Sequence, residues 1–349
     1  MQLKKLTLSH YSNLKKHTFY FSSFLTLVVG SNSVGKTNLI EAIYLVLTGH
    51  GIKEDKHEEL MTLGQRQTVI DCQFAEGDDK IICRVIFEKD DILVKRYFLN
   101  KLEKRYFEFS KYLPPAVLFT PQLIESLTTE PFRRRGLFDQ MLSTSDVEYK
   151  KRLNNYMSAL TKRNKLLERP IPKESLNEEL SFWNKYLVEQ ADYISKKREE
   201  LCELFNKSKE IGNFSFEIKH ISNVLTIERL ENTLEEQLQR RTTFIGPQRD
   251  DYRIFLNLNS DTQAFDVETY GSRSQQRLAL LWVILNQLNL YNEKIKRLPI
   301  LLLDDIFSEL DEVNTHLVID VIKKHQTIIT TNNIKIAENI DQHHAVIKL

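Results

Sequence analysis

Lys36 and Thr37 close the stretch "GSNSVGKTN" (Gly30–Asn38), which has the spacing G-x-x-x-x-G-K-[ST] of a phosphate-binding loop. In such a loop the backbone of Gly30, Ser31, Asn32, Ser33, Val34, Gly35 and Asn38 wraps phosphate oxygens. The Lys36 ammonium then reaches the β- and γ-phosphates of ATP, and the Thr37 hydroxyl ligates Mg²⁺. A turn that needed glycines only to relieve strain would not require Lys-Thr at these places. A second candidate is "PILLLDDIFSELD" (Pro299–Asp311), an apolar run that closes on two carboxylates. Asp304 suits support of Mg²⁺ through its water shell, and Asp305, one residue further on, suits contact with an attacking water. The plain alternative for this pair is the N-cap of a following helix. A third is "YGSRSQQRLALLWVIL" (Tyr270–Leu285), where Ser272, Ser274 and Gln275 open an apolar helix. A simple cap at Ser272 or Ser274 accounts for that cluster locally.

These residues need a frame. "FLTLVV" reads as a buried strand, and "TNLIEAIYLVL" carries Leu39, Ile40, Ile43, Tyr44 and Leu47 at helical spacing. Strand, glycine loop and helix together aim N–H groups and a helix dipole at an anion. Residues 1–110 read mainly as β, with strands around 17–29, 67–76, 80–88 and 92–98. Long helical patterns fill 120–212, in two stretches (147–168 and 176–212) separated by Pro170 and Pro172 as in a hairpin. The β pattern returns at 252–258, followed by helix 274–290, strand 300–303, helix 310–323, strand 326–330 and a last strand near 344–348. The expected fold class is α/β: a P-loop head built from both chain ends (1–120 and 246–349), with a mainly helical insertion over 121–245.

Composition narrows the function classes. The 349 residues can bury a large core, and a net charge of +1 gives no global pull towards nucleic acid or anionic lipid. The cysteines Cys72, Cys83 and Cys202 show no C-x-x-C spacing, which argues against structural zinc and a secreted disulfide scaffold. With no signal-like or membrane-length apolar run, a cytoplasmic protein without a membrane partner is expected.

The chain resembles the RecF family, recombination and repair ATPases related to SMC heads. The likeness rests on "GSNSVGKTNLIEAIYLVLTG", "VLFTPQLIESLTTEPFRRRGLFDQML", "TFIGPQRDDYRIFL", "YGSRSQQRLALL" and "PILLLDDIFSELD" followed by "TIITTNN". It implies an ABC-type ATPase head that forms an ATP-dependent homodimer, with Ser272 of one copy, Gln275 beside it, on the γ-phosphate held by the other. Lys36, Ser272 and Asp305 are then the catalytic set, and Thr37 and Asp304 the metal set. It further implies DNA binding at duplex–single-strand boundaries, recombinase loading on gaps with RecR and RecO, and slow, DNA-stimulated ATP hydrolysis. Ser33 replaces a frequent glycine and is expected to fit with a negative φ; Ser274 replaces the signature glycine, and Gln248 a histidine. The separation of Thr37 from Ser272 is too long for a transporter cassette and too short for an SMC arm.

DNA contact would come from local cations. The candidates are Lys101/Lys104/Arg105, Arg133/Arg134/Arg135, Lys150/Lys151/Arg152, Lys162/Arg163/Lys165, Lys196/Lys197/Arg198 and Arg240/Arg241, each of which also suits a solvated helix face. Two other function classes compete: a repair scaffold that holds nucleotide without turnover, and a nuclease-linked phage-defence ATPase. The latter needs a further acidic metal domain beyond Leu349.

Overall fold

A computed structural model describes residues 1–52, 57–169, 173–208, 210–211, 214–257, 264–308, 319, 322, 324–332 and 344–349. The helix expected over 310–323 falls almost wholly outside these residues, as do Pro170 and Pro172. The chain divides into two compact units, Met1–Pro121 with Gln287–Leu349, and Gln122–Asn286.

The first unit contains β1 (Gln2–Tyr11), β2 (Leu14–Tyr20), β3 (Leu25–Val29), α1 (Lys36–Thr48), β4 (Gln67–Glu76), β5 (Asp79–Lys89), β6 (Leu93–Leu99), β7 (Leu102–Lys104), α2 (Tyr106–Ser110) and β8 (Ala116–Phe119). An antiparallel sheet of order β2-β1-β4-β5-β6-β7 buries Leu6, Leu8, Ile70, Phe74, Val85 and Phe87 on one face, with the alternation clearest along β4. Further along the chain, β13 (Ile300–Asp304), β14 (Thr327–Thr331) and β15 (His344–Lys348) join β3 and β8 in a parallel sheet of order β15-β3-β14-β13-β8. Its inner strands are continuous apolar or threonine runs because both faces are covered. Helix α1 buries Leu39, Ile40, Ile43 and Leu47 and packs on β8, β13 and β14. The parallel register sets Val29 opposite Thr331 and Asp304 opposite Thr330, so the carboxyl ends of β3, β14 and β13 lie level. Ligands bind at that edge in open α/β sheets.

The second unit holds α3 (Leu123–Thr128), α4 (Pro131–Ser145), α5 (Val147–Leu167), α6 (Lys173–Phe205), β9 (Glu210–Ile211), β10 (Phe214–Ile221), α7 (Ile227–Asn232), α8 (Leu234–Arg240), β11 (Asp251–Asn257), β12 (Phe265–Asp266), α9 (Val267–Tyr270) and the start of α10 (Arg273–Lys294). An antiparallel sheet of order β12-β11-β10-β9 lies among the helices. Here the structure departs from the expectation of helix to 212. Helix α6 ends at Phe205, because the Asn206 side chain turns to bond both the N–H and the C=O of Ile218, each at 2.9 Å, and so docks on β10. The unit also runs to Asn286, whereas the insertion was expected to end at 245. Strand β11 pairs with β10 from Ser215↔Asn257 to Ile221↔Asp251, which binds residues 251–257 into this unit.

A buried ion network holds the second unit together. Arg198 grips Asp139 with Nε (3.0 Å) and Nη2 (2.8 Å), and its Nη1 donates to Asp250 and to the Pro247 carbonyl, both at 2.7 Å. Asp250 also accepts from His220 at 2.8 Å and from the Asn223 N–H at 2.6 Å. Burial disfavours the Asp250 anion, yet the bonds from His220 and Asn223 and the Arg198 charge hold its pKa below the usual value. Three of the arginines considered for DNA contact are therefore placed elsewhere: Arg134, Arg163 and Arg198 are buried. Arg163 donates to Asn184 (2.8 Å), Gln237 (2.6 Å) and Thr243 (2.5 Å), and burial lowers its pKa to about 10. Gln248 is half-buried, donating to the carbonyls of Thr243 (3.1 Å) and Ile245 (2.8 Å) and accepting from the Tyr156 hydroxyl.

Asp250→Ala should lower stability by about 3–5 kcal/mol, since it leaves a buried arginine short of a partner. The depressed pKa adds stability that is fully present above the unfolded carboxylate value of about 3.9 and lost as pH falls through the folded value. Urea titrations at pH 7 and below pH 4 should show that acid-sensitive component in the wild type and not in the variant.

Candidate nucleotide site

Strand β3 ends at Val29, the loop runs through Gly30–Gly35, and α1 begins at Lys36. Gly35 has φ +112°, and a Cβ there would lie 2.8 Å from Asn13 Oδ1 and 3.0 Å from Leu14 Cδ2, so only glycine fits. No side chain caps the start of α1, and its first turn carries no acid. Its free N–H groups are thus suited to an anion. Ser31, Asn32 and Ser33 are exposed, and Val34 and Asn38 half-buried.

Lys36 is only 8% exposed. Its ammonium donates to the carbonyls of Gly30 (2.7 Å) and Ser31 (2.8 Å) and to Asn332 Oδ1 (2.6 Å), which engages all three protons. Thr37 Oγ1 donates to Asp304 Oδ2 at 2.9 Å. The other oxygen of that carboxylate accepts from Thr330 Oγ1 at 2.5 Å, and the same hydroxyl accepts from the Asp305 N–H at 3.0 Å. Asp305 follows β13 in the left-handed region, φ +51°. A hydroxyl and a carboxylate in direct contact form an oxygen donor set of the kind Mg²⁺ prefers.

The structure thus gathers Gly30–Asn38, Asp304 and Asp305 at one edge of the parallel sheet. Ser272 and Gln275 belong to the second unit. There the Ser272 N–H donates to Gln275 Oε1 (2.8 Å) and the Gln275 N–H to Ser272 Oγ (3.3 Å), a reciprocal capping box at the start of α10. Ser272 is exposed despite this pairing.

One expectation is overturned. Ser33 has φ +67°, not a negative value. Its carbonyl accepts from Asn13 Nδ2 at 3.2 Å, which helps hold a conformation that costs a non-glycine residue about 1–2 kcal/mol. Three side chains went unassigned in the sequence. Asn13 braces Ser33 and accepts from Asn38 Nδ2 at 2.9 Å. Thr330 seats Asp304, and Asn332 links Lys36 to Asn32, donating to the Asn32 side chain at 2.9 Å. The polar end of "TIITTNN", next to an apolar strand, is the one signal that marks the latter two.

Residues 2–349 match the RecF/RecN/SMC N terminal domain model. The chain is 30% identical to the DNA replication and repair protein RecF of Halalkalibacterium halodurans, covering 96% of this chain and 93% of that one. The chain belongs to the RecF family. A RecF of Alkaliphilus oremlandii is likewise 30% identical, over 95% of this chain and 93% of its own. Among solved structures, the recombination mediator protein RecF-ATP in the RecFOR pathway superposes with a TM-score of 0.83 at 28% identity, covering 95% and 92% of the two chains. An Smc head bound to the C-winged helix domain of ScpA matches with a TM-score of 0.56 at 19% identity, over 100% and 94%, and shares the fold. The fold is therefore that of ABC-type ATPase heads.

Gly35→Ala should weaken ATP binding by about ten-fold or more, through both the clash with Asn13 and the positive φ. Ser33→Gly should retain wild-type affinity and a thermal midpoint equal to or slightly above the wild type. Titration with a fluorescent ATP analogue and a thermal melt check both.

Proposed function

We propose that this protein is an ATP-dependent DNA-binding protein of recombinational repair and replication, an ATP-gated homodimer with slow turnover. The observation that carries the reading is the contact of Thr37 with Asp304, beside a Lys36 ammonium buried at the level ends of β3, β14 and β13. The names of the similar proteins support it: DNA replication and repair protein RecF, and RecF-ATP in the RecFOR pathway.

In this reading phosphate oxygens take the Lys36 protons now given to Gly30, Ser31 and Asn332, and the amides of Lys36, Thr37 and Asn38 complete the cradle. Thr37 and Asp304 would hold Mg²⁺, which when bound neutralises developing phosphate charge. Thr330 fixes the carboxylate for that task. Asp305 orients the attacking water. An aspartate reaches less far than a glutamate and so holds the water less directly, which makes the chemistry slow. Ser272 of one copy closes on the γ-phosphate held by the other, and Gln275 supports it through the capping box. The closed dimer binds DNA, and hydrolysis reopens it.

DNA contact is phosphate-dominated, sequence-independent and salt-sensitive. With Arg134, Arg163 and Arg198 buried, the cations for it are exposed ones such as Lys101, Arg105, Lys151, Lys162, Lys165 and Lys196. Duplex–single-strand junctions are the expected substrate, RecR and RecO the expected partners, and the cytoplasm the expected location.

Lys36→Ala should abolish tight ATP binding without unfolding the protein. Ser272→Arg should bind ATP as a monomer yet fail to dimerise in sedimentation with ATP. Steady-state turnover should lie well below the ~10 s⁻¹ typical of enzymes, rise with gapped DNA and fall in Asp305→Asn. Fast, DNA-independent turnover would contradict the gated dimer, and absence of turnover would leave a nucleotide-binding scaffold.

A further inference from the structure

Ser272 is exposed, and its hydrogen bonds to the described residues Gln275 and Gln276 are short-range, so the preceding element sets where it points. The element before it is α9, a single turn. The Gly271 N–H donates to the Val267 carbonyl at 3.1 Å, and a Cβ on Gly271 would meet that oxygen at 2.5 Å, so the chain leaves α9 with no slack. Gln276, one turn into α10, donates back to the same carbonyl at 3.4 Å. The place of Ser272 is thus the place of α9.

Arginines tie α9 to the rest of the second unit. Arg134, on α4 and 2% exposed, makes a fork to Asp251 (Nε–Oδ1 2.7 Å, Nη2–Oδ2 2.9 Å) and an ion pair to Glu268 of α9 at 2.9 Å. It also donates to the carbonyls of Thr129 (2.8 Å) and Leu127 (3.3 Å) at the end of α3. Arg253, on β11, binds Glu268, Asp266 at 3.1 Å and Asp251 at 3.2 Å. Asp266 in turn caps α9, accepting from the Glu268 N–H at 2.9 Å. Burial alone would lower the Arg134 pKa, but the bonds and charges of Asp251 and Glu268 raise it, so the cation is firmly held. One planar guanidinium thereby joins α3, α4, β11 and α9.

We infer that Arg134 and Glu268 are positioning residues for Ser272: their ion pair fixes α9, and through Gly271 the serine that meets the partner copy's nucleotide. The dimer role of Ser272 rests on the function proposed above; the fixing of α9 does not. Glu268→Gln keeps size and an acceptor oxygen while removing the charge that two arginines share. Arg134→Lys keeps the charge and removes the fork.

Two readouts test the inference on the full chain. Hydrogen exchange without nucleotide should speed about ten-fold across residues 266–276 in Glu268→Gln and stay unchanged in α5 and α6. Exchange that is unchanged in 266–276, or faster throughout the second unit, would overturn the positioning role. In sedimentation with ATP, Glu268→Gln should weaken dimers about ten-fold at wild-type ATP affinity, with no further loss when added to Ser272→Ala. Additive losses would mean that Glu268 acts independently of Ser272 and would also overturn it. Local loosening combined with wild-type dimers in Ser272→Ala would uphold the positioning and refute the dimer role. Should Arg134→Lys fail to fold, Glu268→Gln decides alone.

Discussion

Parallel pairing of β3, β14 and β13 sets the terms for the first unit. Thr331 lies opposite Val29 and Thr330 opposite Asp304, so three chain segments far apart in sequence end on one line. From that line come the glycine loop, the Lys36 clasp by Asn332 and the Thr37–Asp304 contact. A slip of one residue would turn Asp304 to the other face of the sheet, away from Thr37. Burial of both sheet faces makes such a slip costly, and this is what keeps a polar site in register on an apolar frame.

The second unit solves a different problem. Its cations are long side chains that solvent would ordinarily claim, yet Arg134 and Arg198 are buried against Asp251, Glu268, Asp139 and Asp250. Such pairs add little net stability over an apolar replacement, but any one partner left alone is heavily penalised. They therefore define which arrangement of α4, α6, β11 and α9 is acceptable more than how strongly it is held. For a protein whose proposed task is to present one serine to a second copy, a fixed arrangement matters more than added stability.

How much was legible in the sequence depended on the range of the interaction. The strand, glycine-bearing loop and helix over residues 25–48 are local and appear as expected, and β4 matches its expected span of 67–76. The carboxylate pair lies at the end of its strand, Asp304 closing β13 and Asp305 following it, as the short apolar run before it suggests. Ser33 was misjudged because its φ is set by Asn13, a residue of the β1–β2 turn. Thr330 and Asn332 were missed because their partners lie across the sheet. The charge runs at 133–135, 162–165 and 196–198 look alike in sequence; which cation turns inward is decided by distant groups such as Asp250, Asp251 and Gln237. Strand β10 escaped notice since "FSFEIKHI" carries charge on its outer face and follows directly on a helical run.

The central claim is that each nucleotide is held by Lys36 of one copy and Ser272 of another. Mixing two defective proteins tests it most directly. Lys36→Ala lacks its own phosphate cation but keeps Ser272, and Ser272→Arg keeps Lys36 but lacks the serine. A composite site requires that the mixture recover ATP-dependent association and part of the DNA-stimulated turnover, while either protein alone shows neither. A mixture as inert as its two inactive components, or Ser272→Arg alone turning over ATP at the wild-type rate, would contradict it.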